Sequence, residues 1–136
     1  MTAPTFKEWV PMKRVALLVM ATTVICVPMA SARAPVNTRV TIDGAFYATG
    51  GTAFSGDIFS SRKGCKSGRL VKVFRIRPGT DQKIGSTRSR KGISSPGYYW
   101  TFSKSGAAPT GTYYAKVAPI PGCRGDRSGN QRLEGF

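Results

Sequence analysis

The chain of 136 residues is short enough for a single domain, and it carries 21 Lys and Arg against 6 Asp and Glu, a net charge of +15. It contains no histidine, which excludes a serine–histidine–carboxylate triad and leaves few ligands for zinc, so we expect no cofactor or metal. Such a positive charge favours anionic polymers or surfaces as partners.

Residues 1–32 have the pattern of a secretory signal peptide, which we expect to be helical. Lys13 and Arg14 precede the apolar run "VALLVMATTVICV", and small residues at Ala30 and Ala32 form an A-x-A cleavage pattern. Because the apolar run is shorter than the roughly 20 residues of a membrane span, we predict cleavage after Ala32 rather than a stable anchor. Met12 is an alternative translation start. The prediction places the protein outside the cell, secreted or on the envelope exterior.

Cleavage leaves a short tail at 33–37 and one domain at 38–136. Three basic residues and one acidic residue are lost, so the remaining charge is (21 − 3) − (6 − 1), or +13. Two cysteines remain, Cys65 and Cys123. In an exported chain we expect two distant cysteines to form a disulfide rather than a metal site.

Short runs of alternating apolar and polar residues predict an all-β domain. They follow in chain order as "TRVTI", "AFSGDIFS", "GRLVKVFRIR", "YYWTFS" and "TYYAKV", and turn sequences such as "TGGT", "RPGTDQ" and "SGAAPTG" separate them. About seven strands at this spacing predict a small Greek-key β-sandwich of the immunoglobulin or transthyretin type, with a closed five-stranded barrel as the alternative. The alternation places these residues in the core: Phe54, Ile58, Val71, Val73, Tyr98, Trp100, Phe102, Tyr113, Ala115 and Val117.

The segment 64–79, "GCKSGRLVKVFRIRPG", has apolar residues on both faces of its strand around Val71 to Phe74. That pattern is expected of a strand that is central in a sandwich or carries a bulge, so Phe74 is assigned to the core with its valines. The flanking cations Lys66, Arg69, Arg75 and Arg77 are then the candidates for contact with an anionic partner.

The series "FSGDIFS…C…GRLVKVFR…GTDQKIGS…GYYWTF…GTYYAKV…C", over about residues 38–123, resembles the carboxypeptidase-regulatory-like or transthyretin-like accessory domains of secreted bacterial proteins. The matching parts are R-x-V-x-V from Arg69, a hairpin ending at Ser86, an aromatic strand after a glycine, and G-x-Y-x-A from Gly111. The resemblance implies a Greek-key sandwich with adhesive, attachment or structural roles and no catalytic residues. Tyr113 is then expected to form a tyrosine corner.

The carboxylates offer no catalytic constellation. A two-carboxylate hydrolase would need two of them brought within roughly 5–10 Å by the fold. The tripeptide Arg124-Gly125-Asp126 matches an adhesion motif, and we interpret it as coincidence in a chain rich in Arg and Gly. We therefore predict that the protein is not an enzyme. The acidic residues of the mature chain are scattered along it: Asp43, Asp57, Asp81, Asp126 and Glu134.

Basic residues cluster in three segments rich in Ser and Gly, at 60–69, 86–92 and 123–132. The leading hypothesis is a non-catalytic exported protein with a structural or binding role. The alternative is a binder of polyanions such as cell-wall polymer, acidic polysaccharide or, non-specifically, nucleic acid. A cationic protein whose charge serves only solubility also fits the composition. The candidate anion-binding residues are Arg62, Lys63, Lys66, Arg69, Arg88, Arg90, Lys91, Arg124 and Arg127.

Overall fold

A computed structural model describes residues 33–93 and 97–134. The predicted signal peptide and the alternative start at Met12 lie outside the described residues. Within them the fold is all-β, with two antiparallel sheets packed as a sandwich, as predicted. No helix in this part of the chain is long and apolar enough to cross a bilayer.

The first sheet is built around one long strand, β3 (Gly51–Phe59). Strands β1 (Arg39–Val40) and β2 (Gly44–Ala48) pair successively with one edge of β3. On its other edge lies β7 (Tyr98–Ser105), which also pairs with β6 (Arg90–Lys91). Alternate residues of β3 are buried, as the alternation of apolar residues predicts.

The second sheet is centred on β4 (Leu70–Arg75) and β8 (Gly111–Val117). Strand β5 (Gln82–Arg88) pairs with the free edge of β4. Two short strands, β9 (Asp126–Arg127) and β10 (Gln131–Leu133), both pair with the outer edge of β8. The segment that opens with "GCKSGR" is therefore a central strand.

The core lies between the two sheets and contains most of the side chains that the alternation predicts, together with Val40, Ile42, Ala108 and Leu133. Nine of the ten predicted core residues are buried, and Phe102 is partly buried against the same cluster. The hydroxyl of Tyr113 donates to the carbonyl oxygen of Pro109, four residues upstream, which is the bond expected of a tyrosine corner. The indole N–H of Trp100 donates to the carbonyl of Thr41 at 3.0 Å, so this buried ring has its polar atom satisfied.

The structure differs from the sequence prediction at Phe74 of β4. Val71 and Val73 are fully buried, but Phe74 is half-buried on the outer face of the sheet. The assignment of Phe74 to the core was wrong. Side chains alternate along β4, so with Val71 and Val73 facing inward Phe74 faces outward. The predicted irregularity lies opposite, in β5, where the pairing shifts between Val73 and Phe74 and leaves Ile84 as the extra residue.

A disulfide joins Cys65 to Cys123, with sulfurs 2.06 Å apart and a sequence separation of 58, as predicted. Cys65 ends a short 3-10 turn, Lys63–Cys65, just before β4, and Cys123 lies in the connection between β8 and β9. Both cysteines are buried. A disulfide of this kind is typical of proteins that fold in oxidising compartments.

Candidate anion-binding surface

The fold brings the three basic segments together at one end of the sandwich. The disulfide and a hydrogen bond of 3.1 Å from Arg62 Nη1 to the Gly122 carbonyl join the first segment to the third. Ser89, in the second segment, bonds to the first through its backbone and side chain: its N–H donates to the Arg69 carbonyl and its hydroxyl donates to the Lys66 carbonyl at 2.6 Å. We call this region the cationic end, and its side chains are Arg62, Lys63, Lys66, Arg88, Arg90, Lys91 and Arg124.

Most side chains of the cationic end are open to solvent. Five of the seven are exposed, and Arg62 and Lys66 are half-buried. The ammonium of Lys66 lies 5.4 Å from the ring centroid of Tyr98, within cation–π range. Because seven of the nine predicted residues converge here, this surface is the strongest candidate for anion binding.

Arg69 is a correction to the predicted set, because it is only 3 % exposed and its guanidinium is used inside the chain. Nη1 donates to the Cys65 carbonyl at 2.9 Å and Nη2 donates to the Ala118 carbonyl at 2.5 Å. A third contact reaches the Thr38 hydroxyl at 3.4 Å. Burial lowers the pKa of this guanidinium from its usual value. Arg69 therefore ties the disulfide loop to the end of β8 and is not available to a ligand.

Arg127 is separate from the cationic end and lies on the outer face of the second sheet. Its guanidinium lies 3.8 Å from the ring centroid of Tyr114, and it donates to the Ser128 carbonyl and to Asn130 Oδ1. The pKa of Tyr114 is raised, mainly by burial and then by its hydrogen bond to Asp81. These contacts fix the orientation of Arg127 while leaving it exposed.

The carboxylates do not neutralise these cations. Among residues 33–93 and 97–134 one ion pair is formed, between Arg132 and Glu134 at 3.4 Å, with both side chains more than three-quarters exposed. Since this part of the chain holds all 18 basic residues of the predicted mature protein, 18 − 1 = 17 of them form no ion pair with a carboxylate of the described residues. The positive charge is therefore largely uncompensated.

A shallow groove of about 470 Å³ lies beside the cationic end. Its walls combine the apolar surface of Ile58, Phe59 and Tyr98 with the cations Arg39 and Lys66. Phe59 is half exposed, so the groove offers a ring and a charge side by side. Such a mixture suits a partner with both anionic groups and an apolar face.

Asp43 and Asp57 both form a hydrogen bond with the Thr41 hydroxyl at the edge of the first sheet. The Thr41 hydroxyl donates to Asp43 at 2.7 Å and accepts from the backbone N–H of Asp57 at 2.9 Å. Burial, and then the negative charge of Asp43, raises the pKa of Asp57. Sequence reasoning missed this proximity, since it depends on β3 folding back along the β1–β2 edge. The bonds through Thr41 bridge the gap between β1 and β2.

The Arg124-Gly125-Asp126 tripeptide is not displayed as a free loop. Asp126 begins β9, and its Oδ2 accepts a hydrogen bond of 2.8 Å from the Val40 backbone N–H. This bond links the second sheet to β1 of the first sheet. The carboxylate therefore has a structural role, in agreement with coincidence as the interpretation of the motif.

No protein-family model, curated protein or solved structure matches this chain. The likeness to carboxypeptidase-regulatory or transthyretin-like domains stays a prediction. In the described part of the chain, no group of three or more His, Cys, Asp or Glu side chains is placed to hold a metal ion.

Sequence reasoning missed two further cations on the outer face of the second sheet. Lys72 pairs directly with Lys116 across β4 and β8, and Lys116 pairs with Arg127 across β8 and β9. A signal was present, because Lys72 alternates with the core valines of β4, as Lys116 does with Ala115 and Val117 of β8. Only the strand register shows that they are neighbours.

Proposed function

We propose that this is an exported, non-catalytic β-sandwich protein that binds anionic polymers at the cell surface or in the medium. The single observation that carries the proposal is the convergence of seven cations at one end of the fold, none of them paired with a carboxylate of residues 33–93 or 97–134. Bringing like charges together opposes folding, so an arrangement that concentrates them is most useful when an anionic partner neutralises them.

Export is supported by the leader pattern and by the disulfide between Cys65 and Cys123. The strand order supports the finer proposal of a Greek-key sandwich with about seven principal strands. The chain changes sheets between β3 and β4, between β5 and β6, and between β7 and β8, and this places β3 beside β7 in one sheet and β4 beside β8 in the other. A purely structural role remains the second candidate, favoured by the internal use of Arg69 and of the Asp126 carboxylate.

The proposal is tested by retention of the purified protein on heparin, polygalacturonate and single-stranded DNA columns across a salt series. We expect retention near 0.15 M salt and elution at higher salt, because binding through released counterions weakens steeply with salt. The variant Lys63→Gln/Lys91→Gln, at the cationic end, should elute earlier than Arg77→Gln/Lys104→Gln, which removes the same charge at the opposite end. A folded protein that flows through all three columns near physiological salt would refute polymer binding and favour the structural role.

A further inference from the structure

A row of three cations crosses the outer face of the second sheet. Lys72 on β4 is the direct partner of Lys116 on β8, which is in turn the direct partner of Arg127 on β9. Their side chains share one face, because Val71, Val73 and the inward residues of β8 occupy the other face of the same strands. We call these three residues the cation row. Lys116 and Arg127 are exposed and Lys72 is half-buried.

The cation row is costly for the free protein. Side chains of directly opposed residues in an antiparallel pair lie about 4.5–5.5 Å apart, and like charges in that position are destabilising. No carboxylate of the described residues forms an ion pair with any of the three. The Asp81 carboxylate is hydrogen-bonded elsewhere: it accepts from the Tyr114 hydroxyl and from the Arg77 backbone N–H. The sheet therefore carries two consecutive like-charge pairs that nothing described in the chain neutralises.

The backbone positions of the three residues repeat at the strand spacing, about 4.8 Å. A linear polyuronate carries one carboxylate per sugar ring, and one ring has about the length of one strand spacing. A chain of this kind laid across the strands would meet Lys72, Lys116 and Arg127 in succession. Further cations flank that track, since Arg88 and Lys83 occupy the same face of β5, opposite Leu70 and Phe74.

The aromatic residues beside the row do not form a platform for nucleobases. The ring of Tyr114 stacks on Phe74, with centroids 5.3 Å apart and planes 12° from parallel, and the Arg127 guanidinium covers Tyr114 at 3.8 Å. Tyr114 is consequently only 7 % exposed. Proteins that bind single-stranded nucleic acid stack bases on open aromatic faces, and Tyr114 has no open face here. The stack instead holds the Arg127 guanidinium over Tyr114, on the same face of the sheet as the two lysines.

We propose that the cation row binds a linear acidic polysaccharide with one carboxylate per sugar ring, lying across strands β4, β8 and β9. The proposal rests on the proposed function and names both the surface and the class of polymer. It places the specific contact on the sheet face, whereas the cationic end supplies general attraction for polyanions.

The test compares three folded proteins with intact disulfides: wild type, Lys72→Gln/Lys116→Gln in the row, and Lys63→Gln/Lys91→Gln at the cationic end. Each double variant removes two charges. Binding to polygalacturonate is measured by titration calorimetry at several salt concentrations, with the methyl-esterified polymer as an uncharged probe and single-stranded DNA as a different polyanion. Thermal unfolding of each protein is recorded in parallel.

We expect the row variant to lose about 10-fold or more in affinity for polygalacturonate, because it removes two of the three cations that meet the polymer. Its melting temperature should rise above that of wild type, because the like-charge pairs are gone. The cationic-end variant should lose less affinity for this polymer, and the esterified polymer should not bind. The row variant should bind DNA as well as the cationic-end variant does.

Three results would overturn the proposal in distinguishable ways. Equal losses for the two double variants would show that binding follows net charge, which leaves the proposed function intact and removes the row as a site. A larger loss for DNA than for polygalacturonate in the row variant would assign the row to nucleic acid. If wild type binds neither polymer near 0.15 M salt, the proposed function itself fails.

Discussion

Replacing Arg69 by methionine separates a structural arginine from a ligand-binding one. Methionine keeps much of the side-chain volume but removes the donors of the Cys65 carbonyl, in a buried site, and of the Ala118 carbonyl, in a partly buried one. An unpaired buried acceptor costs about 1–3 kcal/mol and a partly buried one less, about 1–2 kcal/mol, so the two together cost about 2–5 kcal/mol. Removing the buried positive charge regains part of this free energy, because burial disfavours the charged guanidinium, as the lowered pKa of Arg69 indicates. We expect a net loss of about 3 kcal/mol in the free energy of unfolding.

Urea denaturation followed by far-UV circular dichroism measures this loss directly, and thermal melting should show a fall of about 12 °C or more. Arg90→Met is the matched control, because Arg90 is exposed on β6, and its effect should stay within about 0.5 kcal/mol. If Arg69→Met leaves stability unchanged but weakens retention on polyanion columns, the structural role is refuted and Arg69 belongs to the binding surface after all.

Three other substitutions test the disulfide, the tyrosine corner and the paired carboxylates. Cys65→Ser/Cys123→Ser should cost about 4 kcal/mol in urea denaturation, the loop-closure entropy of a 58-residue separation, and an unchanged midpoint would contradict this. Tyr113→Phe removes one hydroxyl bond and should cost about 1 kcal/mol, with little change expected if that bond is unimportant. Asp57→Asn should stabilise by up to about 0.5 kcal/mol at pH 7, measured by thermal melting at pH 7 and pH 3. The folded-state pKa of Asp57 is raised, so its charge is unfavourable above that pKa and the gain should vanish at pH 3; a gain that persists there would exclude this cause.

The sequence predicts most of the core because burial alternates along β3, β4 and the first half of β7. Phe54 and Ile58 on β3, and Tyr98 and Trp100 on β7, are buried where the pattern places them. Phe74 fails because a run of consecutive apolar residues does not show which face is inward, and the outer face offers it a stacking partner instead of solvent. The local sequence pattern thus predicts where the strands lie. Where apolar residues are consecutive, contacts with the neighbouring strand determine which side chain is buried in the core.

The error at Arg69 has a different physical origin. Arg69 shares the parity of Val71 and Val73, so the alternation itself places it on the inward face, but a cation there conflicts with the expectation that charges stay in water. Arg69 can face inward because backbone carbonyls at the end of the sandwich accept hydrogen bonds from its guanidinium. Arg75, at the other end of the same face, similarly donates to the Thr110 carbonyl at 2.7 Å. The Ala118 and Thr110 carbonyls come from segments distant in sequence, so no local pattern reveals them, although Cys65 is only four residues from Arg69.

The disulfide and Arg69 lie beside the cationic end, where basic side chains are concentrated. The connections that converge at the cationic end repel one another, and this repulsion opposes compaction most strongly where the basic segments meet. The disulfide joins two of these segments, and Arg69 bonds to the carbonyls of Cys65 and Ala118 beside it. Reduction should therefore loosen the cationic end first, and the effect should diminish as salt screens the repulsion. These cross-links keep the cations concentrated at the cationic end, as the proposed binding of a polyanion requires.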